Sequence, residues 1–338
     1  MFKGTSEHLK KLGITGPTLV VDEARARANI ARMADKARRS SVAFRPHFKT
    51  HQSVRIAGWF ADAGVTAITV SSLAMAEKFA EAGWQDITIA FLLNPLEAAR
   101  IGQLADYLAR RGGRLGVTVD SLEAAAFTTG FEADVWVKID TGYGRTGVRW
   151  DDAAALTKIA GDATGLLTHT GHSYHARGGE GLLELWAETV ARLQSARENA
   201  GRPDLKLSAG DTPCCCTVDD FTGVDEVRPG NFVFGDLMQV QIGSMATTDI
   251  AAAVALPVIG VYPDRGQVVV HGGGVHLSKE MLVEGDRTIY GKLGTLNPMG
   301  SLGTVVDEGP VVSLSQEHGI IDLQANHGLG IGDLVVVW

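Results

Sequence analysis

Cysteine is scarce here and badly placed for cross-linking. The 338 residues hold three, Cys214, Cys215 and Cys216, in one consecutive run. Neighbouring thiols on one strand or turn make poor partners for each other, so no disulfide framework is expected and a reducing, cytoplasmic compartment fits. Long apolar runs are missing too. Nothing approaches the roughly 20 residues a spanning helix needs, and the start, MFKGTSEHLKKLG, lacks the apolar core of a signal peptide, so no membrane partner is expected. Basic charge is in deficit: 31 Lys and Arg against 39 Asp and Glu leave a formal net charge of -8. With aromatics at 7% and no basic stripe interleaved with them, the chain carries no nucleic-acid footprint. Small molecules are the expected partners.

What is present is a rhythm. TLVVD runs into EARARANIARMADKARR, where Ala26, Ile30, Met33, Ala34 and Ala37 share a helical face and Arg25, Arg32 and Lys36 are left for solvent. The alternation continues through AITVSS, DITIAF, LGVTVD, DVWVKID, GLLTHTG and LKLSAG, each but the last followed by a helical segment, and reaches VRPGNFVFGD. About eight such units predict an α/β chain built on a (β/α)8 TIM-type barrel over residues 17–245. After that the pattern changes. VALPVIGVYP, GQVVVHGGG, LGTVVDEGP, VVSLSQEHGIIDL and DLVVVW are β-like runs punctuated by Gly, Pro and Asp, which predicts a second, mostly β domain over 246–338, completed by 1–16.

Barrel enzymes carry their chemistry at the C-terminal strand ends, and the polar residues of this chain gather there. FRPHFKTHQS places Arg45, His47, Lys49 and His51 within seven positions of one strand end. Lys138, Asp140 and Arg145 follow another strand, THTGHSYH follows the next, and SAGDTP and RPGN close the series. Gly210 and Thr212, with Gly230 and Asn231, offer small residues, a hydroxyl and exposed backbone N–H groups suited to a phosphate. Lys49, crowded by positive neighbours and partly buried, has its ammonium disfavoured; that frees an amine for imine formation. The CCC run is read as small apolar filling at a helix start.

The segments PTLVVD, RPHFKTHQS, KIDTGYGRTG, GHSY, SAGDTP and RPGN, in this order, resemble the fold-type III pyridoxal-phosphate enzymes, specifically the D-threonine aldolase and D-serine dehydratase group with its alanine racemase-like barrel. The resemblance implies that Lys49 carries pyridoxal 5'-phosphate through an imine, with His47 tuning its environment. It sets Arg145 near the phenolic oxygen, His169 or His172 against the pyridine ring, and Tyr174 beside the ring or substrate. Ser208, Gly210, Thr212, Gly230 and Asn231 would hold the phosphate. Lys49 and His172 are the catalytic candidates.

The activity so implied is a lyase on D-3-hydroxy amino acids, by retro-aldol cleavage to glycine plus aldehyde or by dehydration to a keto acid, in a homodimer. An amino-acid racemase is the alternative, and a non-catalytic pyridoxal-phosphate-binding protein a weaker one. Relatives of this kind also use a divalent metal, zinc or manganese, held just after a strand like GDLVVVW. His318 and His327 have no second ligand at suitable spacing, so no metal ligand is assigned, and a metal is expected only if the native chain continues past Trp338.

Overall fold

The computed structural model describes residues 2–278, 280–323 and 327–338. The chain divides into two compact units. Arg27–Val233 with Ile242–Ser244 forms one; the segment ending at Ala26, Phe234–Gln241 and the rest from Met245 form the other.

The first unit is a barrel of parallel strands. Its order runs Ala43–Phe44, Glu226–Val227, Lys206–Ala209, Gly165–Leu167, Asp134–Asp140, Arg114–Val119, Asp86–Leu92 and Ala67–Val70, every neighbouring pair parallel. A parallel bridge between His47 and Thr69 brings the two ends of this order together. The sequence reading is corrected at its first strand. Thr18–Val21 (TLVV) is absent from the barrel and pairs antiparallel with Ala252–Tyr262 in the other unit. Residues 252–255, AAVA, are as apolar as any barrel strand, and strand propensity cannot say which sheet an apolar tetrapeptide joins.

Helices cover the barrel by burying one stripe each. In Val54–Asp62 the buried residues are Ile56, Ala57, Trp59 and Phe60, and the Ser53 side chain caps the first turn by accepting from the Ile56 N–H. Ser72 and Ser121 repeat this device on the helices that follow them. Lys36, expected in solvent, instead donates from Nζ to the Cys215 and Cys216 carbonyls at 2.9 and 3.2 Å, satisfying the C-terminal end of the short helix Thr212–Thr217. In that helix Cys214 and Cys215 are fully buried. Burial pushes both thiols up from their ordinary pKa, so they act as small packing residues.

The second unit is antiparallel. Its sheet runs Thr18–Val21, Ala252–Tyr262, Gln267–His271, His318–Asp322, Leu302–Leu314, Lys292–Leu296 and Leu334–Val337. Leu334–Val337 also pairs with Ala252–Tyr262, so the sheet closes on itself, with Thr18–Val21 attached as an edge strand. Inside sit Leu256, Val258, Val268, Val270, Leu293, Val311, Ile321, Val335 and Val337. The N-terminal segment joins this unit as a helix, Phe2–Lys11. Its Phe2 and Leu9 enter the core. Asp333 accepts from Lys3 and Lys10 Nζ at 2.6 and 3.0 Å, while the Ser6 Oγ accepts from the Leu334 N–H at 2.9 Å. Arg25 donates to the Ile250 and Leu302 carbonyls, so it too is used within the protein.

Candidate active site

The C-terminal ends of the barrel strands converge on one cleft. Lys49 stands in its mouth because the turn that carries it is anchored on the residue before. Phe48 is fully buried, with ring centroids 4.9 Å from Phe60, 5.0 Å from Phe79 and 5.2 Å from Trp84. An aromatic cluster of that size fixes the turn. Lys49, next in the chain, is exposed toward the cleft. The turn is pinned sideways as well: the Arg45 and His47 N–H groups donate to the Val227 and Pro229 carbonyls at 3.0 and 2.9 Å. These bonds press His47 against Gly230, where an added Cβ would lie 3.0 Å from the His47 carbonyl oxygen, and set Lys49 and Gly230 on the same cleft.

The opposite wall comes from Lys206–Ala209 and the loop after it. Gly210 lies so close to Arg228 that an added Cβ would fall 2.6 Å from its backbone nitrogen. Asp211 caps the following helix, its Oδ1 accepting from the Cys214 N–H at 2.7 Å and from the Ser173 hydroxyl at 2.9 Å. Its Oδ2 and the Thr212 Oγ1 are buried and have no hydrogen-bond partner. His169 is held through its Nδ1, 3.0 Å from the Gly210 carbonyl oxygen. Tyr174 and Asn231 line the same cleft.

Of the residues singled out in the sequence, Lys49, His47, Arg145, His169, Tyr174, Gly210, Thr212, Gly230 and Asn231 all line this cleft. Ser208 does not. Its hydroxyl donates to Glu226 at 2.6 Å inside the barrel and accepts from Arg228, because strand alternation turns it into the interior while Gly210 reaches the rim. His172 also stays outside the lining. Its ring lies 6.4 Å from that of Tyr143, with Glu188 and Arg192 as its charged neighbours. Arg45 and His51 serve the scaffold: Arg45 pairs with Glu226 at 2.6 Å and with Asp86, and His51 stacks on Phe60 at 5.5 Å.

Three titratable residues with no assigned role also line the cleft, beside Ala90: Lys138, Asp211 and Arg228. Arg228 stands one residue past its strand, Asp211 two past, and Lys138 two before its strand's end; nearness to the strand ends is the signal that could have found them. Lys138 is buried, and desolvation, followed by Arg228, Arg145 and Lys49, lowers its pKa to about 7. Burial and then Arg145 lower that of Lys49. His47 falls well below the ordinary imidazole value and His169 to about 3, burial leading in both, so both are neutral at physiological pH. Four basic side chains, Lys49, Lys138, Arg145 and Arg228, therefore face one space in which Asp211 is the single lining carboxylate among the described residues. The arrangement suits an anion.

Burial raises the Asp211 carboxyl to about 6. A carboxyl raised in the folded state favours folding below its unfolded value, and that stability is lost as pH rises through the folded pKa. Relative to Asp211→Asn, which keeps the accepting Oδ1, the wild-type protein should lose about 3 kcal/mol of stability between pH 4 and pH 6 and little more above it. Urea unfolding across that range tests this, and a pH-independent difference would refute it.

The alanine racemase N-terminal domain matches residues 21–238, and the serine dehydratase domain matches residues 251–338. The chain is 37% identical to the D-threo-3-hydroxyaspartate dehydratase of Delftia sp. (strain HT23) over 285 residues, 80% of this chain and 74% of that one. It is 34% identical to an Arthrobacter D-threonine aldolase over 69% of this chain and 61% of that one. The solved structure of the Delftia enzyme superposes with a TM-score of 0.84 at 32% identity, covering 96% of this chain and 90% of that one. This chain therefore belongs to the family built on the alanine racemase N-terminal domain, in the branch that joins that barrel to a serine dehydratase domain.

Proposed function

We propose that this protein is a pyridoxal-phosphate-dependent lyase acting on D-3-hydroxy amino acids, with D-3-hydroxyaspartate as the preferred substrate. The observation that carries the reading is the convergence of Lys49 with Lys138, Arg145 and Arg228 on one cleft. Its relatives include dehydratases named for D-threo-3-hydroxyaspartate and D-serine and an aldolase named for D-threonine.

The residues present fit the cofactor. Thr212 Oγ1, buried and unpartnered, together with the backbone at Gly210, Gly230 and Asn231, would hold its phosphate. Glycine at 210 and 230 lets the two loops pack against Arg228 and His47, where a Cβ would fall 2.6 Å from the Arg228 nitrogen and 3.0 Å from the His47 carbonyl oxygen. Pyridoxal phosphate, when bound, supplies an aldehyde for imine exchange with the substrate amine and a ring that withdraws charge from Cα.

The chain's own residues do the rest. Lys49 Nζ, with its ammonium disfavoured, is the amine that would hold the aldehyde and, once displaced by the substrate amine, the base that takes the Cα proton. His169, neutral and tethered to Gly210, lines the cleft and would be the ring that packs against the cofactor. Arg228 keeps a positive charge deep in the site, its guanidinium donating to the Ser208 hydroxyl and the Thr168 carbonyl. Lys138, with Arg145 near it beyond the phenolic-oxygen contact that the resemblance implies, would receive a second substrate carboxylate, which favours a dicarboxylic substrate. Among the described residues the cleft offers no group of three metal-ligating side chains.

Incubation with D-3-hydroxyaspartate, D-serine and D-threonine, scoring keto acid, ammonia and glycine separately, tests the reading. Highest kcat/KM on D-3-hydroxyaspartate is expected, with L-isomers poor. Equal processing of both enantiomers, or racemisation alone, would refute it. The same reading takes the enzyme as a cytoplasmic homodimer, in keeping with three cysteines that form no disulfide. A fully active monomer in sedimentation would contradict the dimer. No helix among the described residues is long and apolar enough to cross a membrane.

A further inference from the structure

A second cluster of ligand-type side chains stands in the antiparallel unit. His271 ends the strand Gln267–His271, His276 lies in the turn that follows, and Glu317 sits in the hairpin turn between Leu302–Leu314 and His318–Asp322. One ligand atom from each lies within 4.8 Å of the others. The Glu317 Oε2 is 3.6 Å from His271 Nε2 and 3.8 Å from His276 Nε2. The two imidazoles stand edge to face, with centroids 5.3 Å apart and planes at 87°.

The backbone holds these three in place. His271 pairs with His318 in the sheet register, which fixes the hairpin turn beside the strand end. The following turn is laid along that hairpin: the Gly272, Gly274 and Val275 N–H groups donate to the Glu317, Ser315 and Gln316 carbonyls at 2.8, 2.8 and 3.2 Å. Such contact requires glycine at 273, where a Cβ would fall 2.4 Å from the Ser315 and Gln316 carbonyl oxygens. The Leu277 N–H donates to the Gly273 carbonyl at 2.9 Å. The Leu277 side chain enters the apolar core, anchoring the far end of the turn. Two segments distant in sequence are thus locked so that two imidazoles and a carboxylate point at one spot.

We propose that His271, His276 and Glu317 form a binding site for a divalent transition metal, zinc being the best match. Two imidazoles and one carboxylate make a borderline-soft donor set that suits zinc, cobalt or nickel and gives magnesium and calcium too few oxygens. Tetrahedral zinc with ligands at about 2.0–2.1 Å places donor atoms roughly 3.3 Å apart. The two observed separations exceed this by a few tenths of an ångström, within reach of side-chain rotation about a fixed backbone. Glu317 is half exposed, so the fourth position opens to water. The bound ion would clip the turn 272–277 to the hairpin and stabilise this unit.

The test is titration of the tag-free full-length protein, first freed of metal, with Zn²⁺ by calorimetry and with Co²⁺ by its visible absorption, alongside His276→Gln and Glu317→Gln. One ion per chain is expected, with tetrahedral cobalt bands, and either substitution should weaken binding by at least about tenfold. Zinc should raise the melting temperature of the wild type and not of the variants. Circular dichroism identifies any variant that fails to fold, and the cobalt spectrum of the wild type still distinguishes a tetrahedral site from an octahedral all-oxygen one. No stoichiometric binding, octahedral all-oxygen cobalt bands, or affinity that survives His276→Gln combined with Glu317→Gln would overturn the site.

Discussion

Replacing Lys49 by alanine should lower turnover of every D-3-hydroxy amino acid by a factor on the order of 10³ or more. It should also abolish the covalent link that borohydride fixes between protein and pyridoxal phosphate. The expectation rests on where the amine stands. Lys49 and Lys138 both line the cleft and both have lowered pKa values, so chemistry alone does not choose between them. Access does. Lys138 is buried at 6% exposure on a strand interior, whereas Lys49 rises from a turn into the mouth where substrate must enter and leave. A lysine that exchanges an imine with each incoming substrate amine has to move, and a loop lysine beside the open cleft has that freedom. Peptide mapping after reduction should find the adduct on Lys49, and Lys138→Gln should retain it. An adduct on Lys138 would sink the assignment.

Arg45→Met should destabilise the protein by about 3–5 kcal/mol while leaving the ligands of the cleft in place. The guanidinium is 5% exposed and bonds to Glu226, itself 6% exposed, at 2.6 Å, and to Asp86. Opposite charge raises the Arg45 pKa despite burial, Glu226 contributing most. Glu226 also accepts from the Ser208 hydroxyl at 2.6 Å, so the methionine variant would leave a buried carboxylate short of its counter-charge in a closed hydrogen-bond network. That is more costly than losing a surface pair, whose worth is about 1 kcal/mol or less. The melting temperature should fall by roughly 10 °C. Affinity for pyridoxal phosphate, measured below the transition, should change little. Loss of that affinity with unchanged stability would return Arg45 to the binding site that its place in FRPHFKTHQS suggested.

Much of this protein was legible before any coordinates. The alternation of strand and helix fixes a barrel because each unit needs only local periodicity and turn residues. Strand ends in a parallel barrel all face one rim, so the polar residues at Lys49, Arg145, His169, Gly210 and Gly230 were bound to share a neighbourhood. The burial of Cys214 and Cys215 likewise follows from their place in a capped helix start, where Asp211 and Pro213 leave small residues to pack inward.

Tertiary structure decided which way side chains turn and what distant segments meet. TLVV carries no mark that distinguishes a barrel strand from the partner of Ala252–Tyr262; that choice depends on pairing energies more than 230 residues away along the chain. Ser208 and Arg45 look like site residues in their motifs, but the strand pleat points them into the barrel, where Glu226 claims both. Lys138 and Arg228 were the reverse, polar residues in strand-end motifs whose part in the cleft depends on the barrel closing around them. His271, His276 and Glu317 lie up to 46 positions apart, and only the sheet register between Gln267–His271 and His318–Asp322 makes them neighbours. Local sequence sets the period of each element because backbone geometry is short-ranged. Which elements touch is settled by burial of whole faces, a sum over the entire chain that no single stretch records.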